Sequence, residues 1–112
     1  MAFDELLGAR IRAALGLIPG LVEKKMFGGI GFLLHGNMAC GVHKDYLIVR
    51  VGPDNYQQAL SLPNTRPFDM TGKPMSGWIM VEPKGFKTDV QLKTWIGTGI
   101  DFARSLPIKS KK

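Results

Sequence analysis

Cys40, His35 and His43 are the side chains of this sequence whose types could bind a metal ion or form a nucleophile–base pair. Cys40 and His43 lie three positions apart in a run that reads as a β-strand, and residues three apart on a strand point to opposite faces. A structural metal site needs about four converging ligands, and the chain has no second cysteine. We therefore expect Cys40 to be a small core residue, both histidines to be solvated, and no metal or cofactor to be bound.

A glycine-rich stretch, Phe27-Gly28-Gly29-Ile30-Gly31, raises the question of a phosphate-binding loop. The third glycine of the dinucleotide fingerprint is absent, and no Gly-Lys-Ser/Thr follows. The residues after the stretch read as a strand, so no helix N-terminus would face a phosphate. We interpret Phe27, Gly28, Gly29 and Gly31 as a structural motif in which Gly28-Gly29 makes a bulge or sharp bend within one strand.

The remaining polar residues give no sign of catalysis. No pair of carboxylates is placed by local spacing for acid–base work, and no serine lies in a nucleophile elbow. We therefore expect a protein that is not an enzyme. A small-ligand binder or an enzyme whose site is assembled by the fold from distant residues is kept as a second alternative.

Basic and apolar surface residues are then the functional candidates. The chain carries 15 Lys and Arg against 9 Asp and Glu, a formal net charge of +6, which is compatible with an acidic partner or nucleic acid. Lys24, Lys25 and Arg50, together with Trp78 and Met80, are predicted to form a partner surface. We expect a protein partner or a second copy of the chain there, and direct nucleic-acid binding through a basic surface is the alternative.

Hydrophobic periodicity supplies the elements that must position these residues. Turn signals at 36–37 and 44–45 separate strands, and alternation is expected to put Met38 on the same face as Cys40. Capping boxes are expected where Asp54 and Thr88 each precede a glutamine by three residues. The predicted elements are helices over 3–15, 54–62 and 88–106, and strands over 21–34, 38–43, 46–51, 67–70 and 77–81.

This order predicts an α+β fold of two layers, with an antiparallel five-stranded sheet and its helices mainly on one face, in the order α-β-β-β-α-β-β-α. The strand at 77–81 is almost continuously apolar, which predicts cover on both of its faces, from a helix and from a second subunit. We expect one domain over 1–106 and a basic tail over 107–112. A single cysteine, no long apolar run and an acidic N-terminus predict a cytoplasmic protein without a membrane span.

Three motifs carry a resemblance to a known family: residues 26–32, then Gly36-Asn37-Met38, then residues 46–51. In order and spacing they resemble the N-terminal domain of the TfoX/Sxy family. Pro67-Phe68, residues 75–83 and the helix that contains Trp95 extend the likeness over roughly residues 10–106.

The resemblance implies bacterial origin and a two-layer fold like that of YjbR-type proteins and type III secretion chaperones. It also implies transcriptional, competence-type regulation through protein contacts, because full-length members are competence regulators thought to act with the cyclic-AMP receptor protein at promoters. The family's C-terminal helical domain is not among these 112 residues, so a stand-alone N-terminal domain is expected. The resemblance brings no catalytic residues with it.

Overall fold

Six antiparallel strands form one open sheet in the computed structural model, which describes residues 5–16, 18–26, 29–68 and 76–107. The strand order is β1-β2-β3-β4-β6-β5, and the α+β fold predicted from the sequence is confirmed. The elements are α1 (Glu5–Leu15), β1 (Leu21–Met26), β2 (Gly29–Leu34), β3 (Asn37–His43), β4 (Tyr46–Arg50), a 3₁₀ turn (Pro53–Asn55), α2 (Tyr56–Leu60), β5 (Thr65–Pro67), β6 (Trp78–Val81), a second 3₁₀ turn (Pro83–Phe86) and α3 (Asp89–Ser105).

The first predicted strand is in fact two strands. Leu21 pairs with Leu34 and Met26 pairs with Gly29, so the chain reverses direction after Met26 instead of bending. The predicted count of five strands was therefore wrong by one. Adjacent glycines suit a two-residue hairpin turn as well as a bulge, because both use backbone conformations that glycine adopts cheaply. Phe27 and Gly28 themselves lie outside the described residues.

The next hairpin turns one residue earlier than predicted. His35 and Gly36 both have positive φ, 52° and 85°, as the type I′ turn requires. Asn37 is instead the first residue of β3. Its side chain is buried, and its amide nitrogen donates to the carbonyl oxygen of Pro107 at 2.9 Å, which ties this hairpin to the end of α3. The connection at 44–45 is confirmed, because His43 pairs with Tyr46.

A β-bulge decides which face each β3 side chain occupies. Phe32 pairs with Cys40, but Leu33 pairs with Met38, so Ala39 is an extra residue in the ladder. Met38 therefore lies on the opposite face from Cys40, and the simple alternation predicted from the sequence was wrong at this point. A bulge is not visible in the periodicity because it depends on the partner strand.

The inner face of the sheet, which we define as the face covered by helices, carries the main core. α3 packs across β2, β3 and β4, while α1 packs beside α3 and against β3. The close approach of α3 requires Gly99, because a Cβ at this position would overlap the carbonyl oxygen of Ala39. The buried apolar residues that the sheet contributes to this core are Ile30, Phe32, Leu34, Ala39, Cys40, Val42, Leu47, Val49, Ile79 and Val81, and Val51 follows directly after β4.

The glycines of β2 and β3 act as close-packing residues, as the structural-motif interpretation holds. Gly29 is held against the backbone of Val42, where a Cβ would overlap the carbonyl oxygen. Gly31 pairs directly with Gly41, and both are buried. A side chain at Gly41 would come within 2.8 Å of the Met38 methyl group. Gly29 and Gly41 therefore allow the strands to pack closely.

Local signals place the ends of α1 and α3. Gly16 follows α1 with φ of +61°, the left-handed conformation that ends many helices. α3 begins with the predicted capping box. The backbone N–H of Gln91 donates to the Thr88 hydroxyl, and the backbone N–H of Thr88 donates to the side-chain oxygen of Gln91. The box predicted at Asp54 was wrong, because that residue lies in a 3₁₀ turn with no side-chain cap. None of the helices in the described ranges has the length and apolar character of a membrane span.

Candidate interaction surface on the outer face

The outer face of the sheet, opposite the helices, has a smaller apolar cluster of its own. Met38, Ile48, Phe68 and Met80 are buried there, and Leu33, Tyr46 and Trp78 are packed around them and partly exposed. β6 is thus covered on both faces, as predicted, but Phe68 of the same chain contributes to the outer cover. Met80 is only 9% exposed, so it packs within the outer cluster and offers little area to a partner.

Strand pairing brings two predicted site residues together on this face. Arg50 of β4 pairs directly with Trp78 of β6, so both side chains leave the sheet on the same side. The guanidinium carbon of Arg50 lies 5.0 Å from the centre of the Trp78 ring and 5.4 Å from the centre of the Phe102 ring. Both distances are typical of cation–π contacts. We call Arg50, Trp78 and Phe102 the Arg50 cluster.

Arg50 is less accessible to solvent than a typical surface arginine, and this changes its pKa. Partial burial lowers the pKa of Arg50, because desolvation disfavours the charged form. The side chain nevertheless stays protonated at neutral pH, since the pKa of an arginine guanidinium is too high for it to lose its proton in a protein. Within the described ranges no carboxylate forms an ion pair with it; the two ion pairs there are Arg10–Asp89 and Arg12–Glu23. The rings stabilise the cation without neutralising it.

Two glycines hold the Arg50 cluster in place. Gly52 and Gly77 have φ of +89° and +91°, conformations that other residues rarely adopt. A Cβ at Gly52 would come within 2.5 Å of the Phe102 ring, so the glycine lets the ring lie against the backbone after β4. The amide groups of Val51 and Gly52 both donate to the carbonyl oxygen of Gly77, at 2.8 and 3.1 Å. These hydrogen bonds therefore hold together the backbone segments that follow Arg50 and precede Trp78.

Phe102 is the member of this cluster that the sequence prediction missed. It lies at the border of the buried stripe of α3, where periodicity does not say whether a ring packs inward or reaches a neighbouring strand. The unusual conformations of Gly52 and Gly77 are equally unreadable from sequence. A Gly-Pro pair after an apolar strand was a signal only for a turn at Gly52.

Lys24 and Lys25 do not join the Arg50 cluster. Lys24 lies on the outer face in the row of residues that runs through Gly31 and Ile48 to Met80, whereas Lys25 lies on the inner face. Four strand spacings separate Lys24 from β6, which is about 19 Å at the usual spacing of 4.7–4.9 Å. The five residues predicted to form one surface are therefore separated: Lys24 and Lys25 lie on β1 at one edge of the sheet, and the other three lie on β4 and β6.

The groups considered for chemistry are poorly placed for it. Cys40 is buried, as predicted, and burial raises the pKa of its thiol to about 12, so it stays protonated and unreactive at neutral pH. Across the described ranges, no three His, Cys, Asp or Glu side chains come together as metal ligands would. What the fold does assemble, where β4 ends, is a cation close to two aromatic rings, Trp78 on the outer face and Phe102 from α3, an arrangement suited to binding.

Comparison with known proteins gives one match. Residues 13–103 fit a family model whose description is the TfoX N-terminal domain. This range contains all six strands, including the Arg50 cluster and both edges of the sheet. No curated protein and no solved structure matches the chain.

Proposed function

Because the chain belongs to the TfoX N-terminal domain family, we propose that it is a non-enzymatic interaction domain that acts in transcriptional, competence-type regulation in the bacterial cytoplasm by binding a protein partner. The Arg50 cluster is the proposed contact. The resemblance of the sequence to competence regulators makes a promoter-bound transcription factor the first partner to test.

The observation that carries the proposal is the cation of Arg50, which lies close to two aromatic rings and has no ion-pair partner among the residues that the structure describes. Arginine and tryptophan are the residue types that most often dominate binding energy at protein interfaces. A guanidinium whose plane is held by rings keeps its N–H edge available for a carboxylate, and such paired hydrogen bonds to a charged group are strong. We therefore propose that the partner presents an aspartate or glutamate to Arg50 and an apolar side chain to Trp78.

A protein partner fits this surface better than a nucleic acid does. Single-stranded nucleic acids need free aromatic faces on which bases stack, together with a continuous basic groove. In the Arg50 cluster, the guanidinium already lies near both rings, and Lys24 stands about 19 Å away across the sheet. The net charge of +6 is the observation in favour of the alternative, direct nucleic-acid binding through a basic surface.

Affinity capture with matched arginine variants tests the proposal. Wild type, Arg50→Lys and Arg50→Ala would be immobilised, and captured proteins would be quantified by mass spectrometry. Arg66→Ala is the matched control, because Arg66 is also on the outer face and lies over an aromatic ring, 5.9 Å from the centre of Tyr46. We expect a specific partner whose affinity falls about tenfold or more with Arg50→Lys, since lysine keeps the charge but not the planar donor edge.

Two results would contradict this proposal. One is a partner that binds all four forms equally, which would move the contact away from Arg50. The other is duplex DNA binding, measured by fluorescence anisotropy, that weakens steeply with salt at about one log unit per log unit of salt for each phosphate contacted. Binding of that kind in the absence of any protein partner would establish the nucleic-acid alternative instead. Thermal unfolding of every variant controls for loss of fold.

A further inference from the structure

Among the residues that the structure describes, β1 has a strand partner on one side alone, and its open edge offers backbone groups in a defined pattern. The amide of His35 donates to the carbonyl oxygen of Gly20 at 2.9 Å, so Gly20 occupies a hydrogen-bonded position of the β1–β2 ladder. Such positions alternate along an antiparallel pair, which turns the backbone groups of Leu21, Glu23 and Lys25 outward. The Leu21 amide already donates to Ile18. Glu23 and Lys25 therefore keep both an N–H and a C=O directed to the open edge.

The other edge of the sheet is much less suited to pairing. β5 has only three residues, Thr65–Pro67, and Pro67 has no N–H to donate. β1 has six residues and no proline, and Val22 on its outer side is 58% exposed. Short edges and prolines are common devices against edge-to-edge pairing, and β5 has both. An added strand would therefore attach at β1.

We propose that β1 pairs antiparallel with β1 of a second copy of this chain, with Lys24 at the two-fold axis. The register follows from symmetry and charge. A two-fold axis normal to the sheet pairs residues whose numbers have an even sum, because paired residues share a face. With Lys24 on the axis, Glu23 of each copy lies opposite Lys25 of the other, and both pairs use the outward backbone groups.

The two neighbouring registers are disfavoured by charge. An axis at Glu23 would place Glu23 opposite itself, and an axis at Lys25 would place Lys25 opposite itself, in each case in a hydrogen-bonded pair. Like charges directly across two strands are destabilising, whereas opposite charges are stabilising. The Lys24 register leaves one like-charge pair, Lys24 with Lys24, on the exposed outer face, where water screens the repulsion. Of the three registers, it alone sets opposite charges across both hydrogen-bonded pairs.

The inner side of β1 has room for a neighbouring strand. α1 packs against α3 and β3, so it reaches β1 chiefly through the ion pair of Arg12 with Glu23. Open grooves of about 440 and 420 Å³ lie on either side of this ion pair. The first is lined partly by Leu15, Leu21 and Phe32, so an adjoining strand would cover apolar surface as well as backbone.

Such a dimer would be weak, but it would bring two Arg50 clusters together in one assembly. A single pair of short edge strands buries less than the roughly 1,600 Å² of a standard stable interface, so reversible association is expected. A two-fold axis normal to the sheet keeps both outer faces on the same side. Two Arg50 clusters would then face one direction, and a partner with two binding motifs would engage both at a raised effective concentration. The pairing itself does not depend on the proposed function.

Cysteine cross-linking tests the register directly. Lys24→Cys should form an intermolecular disulfide under mild oxidation, because the two copies of residue 24 are adjacent across the axis. Val22→Cys is the matched control on the same face of the same strand. Its two copies would be four positions apart, about 13 Å at 3.3 Å per residue, too far for a disulfide. The native Cys40 is buried and should not contribute.

A charge-exchange experiment tests the pairing without a new cysteine. Glu23→Lys and Lys25→Glu each create like-charge pairs with their own copies, so each variant alone should be monomeric by sedimentation velocity. A mixture of the two restores opposite charges at both pairs and should form a heterodimer at concentrations where wild type associates. Circular dichroism would show that both variants are folded, since Glu23→Lys also removes the ion pair with Arg12.

Several outcomes would overturn the inference. Equal cross-linking of Lys24→Cys and Val22→Cys would indicate random collision, and cross-linking of Val22→Cys alone would indicate another register. A wild-type protein that stays monomeric at millimolar concentration, or a mixture that stays monomeric where wild type associates, would remove the pairing itself. Attachment of a foreign peptide strand to β1 in place of a second copy would also contradict it.

Discussion

The two faces of the sheet divide stability from recognition. The inner face is covered by α1 and α3 over a large apolar core. Among the described residues, the outer face has a core of four buried side chains, with Arg50, Trp78 and Tyr46 partly exposed around it. Both faces bury apolar side chains, and the outer cluster lies beside a cation, Arg50, that no carboxylate of the described residues pairs with. Burial alone therefore does not distinguish the two faces, whereas the surroundings of the buried residues do.

The largest expected effect compares one phenylalanine from each face. Phe32 on the inner face is 2% exposed and Phe68 on the outer face is 0% exposed. Phe32→Ala should lower the free energy of unfolding by about 3–5 kcal/mol, because a cavity under α1 and α3 cannot collapse. Phe68→Ala should cost less, about 2–3 kcal/mol, because the small outer cluster can relax toward solvent. Urea denaturation measures both.

The comparison would fail if the two costs came out in the opposite order. That result would make the outer cluster a principal core and the Arg50 cluster a part of its structure. Equal slopes of unfolding free energy against urea are needed for a fair comparison, since a changed slope would indicate a change in the denatured or native state.

A second, smaller effect compares two glycines on α3. A Cβ at Gly99 would overlap the carbonyl oxygen of Ala39, whereas a Cβ at Gly97 would meet nothing within 4 Å. Gly99→Ala should therefore lower the free energy of unfolding by about 1–3 kcal/mol through overpacking. Gly97→Ala should raise it by up to about 1 kcal/mol, because alanine favours helix. Thermal unfolding followed by circular dichroism distinguishes the two signs.

If Gly99→Ala lowers the free energy of unfolding and Gly97→Ala raises it, then contact with the sheet, and not helix propensity, determines the destabilisation at Gly99. Stabilisation by both changes would mean that α3 moves away from β3 easily. The inner face would then be less rigid than its close contact with Ala39 implies.

Sequence analysis succeeded where the determining interaction is local. Thr88 and Gln91 are three residues apart and bond only to their own helix end, so the capping box could be read from the sequence. Gly16 at the end of α1 is a signal of the same kind. The family resemblance also rested on local motifs, and the match over residues 13–103 confirms it.

The capping box at Asp54 failed although its signal is local, but the errors in the sheet depend on partner strands. Gly28-Gly29 in the sequence fits either a bend or a hairpin, and only the pairing of Met26 with Gly29 decides between them. The bulge at Ala39 is likewise set by the register against β2. In the candidate site, Arg50 and Trp78 meet because β4 pairs directly with β6, although β5 lies between them in the sequence, and Phe102 comes from α3. None of these relations is encoded in spacing along the chain.

The smallest expected effect concerns the ion pair between Arg12 of α1 and Glu23 of β1, at the edge of the sheet. The guanidinium of Arg12 donates to both carboxylate oxygens of Glu23, each at 2.6 Å, and these hydrogen bonds lower the pKa of Glu23. A lowered pKa in the folded state stabilises the protein at pH values above the unfolded pKa of about 4.5, and this stabilisation is lost as the pH falls below that value. Because the Arg12 side chain is 50% exposed, solvent screening should limit the coupling to at most about 1 kcal/mol.

A double-mutant cycle of Arg12→Gln and Glu23→Gln measures this coupling as the non-additive part of the change in unfolding free energy. The protein should be dilute, so that pairing of β1 edges does not contribute. At pH 7 the coupling should be small, and it should disappear once the pH is low enough to protonate Glu23 in the folded state as well. A coupling above about 2 kcal/mol at pH 7 would show that this ion pair is desolvated like a buried one. The covered inner face would then extend to the edge strand, which would leave no open groove there for a second copy to enter.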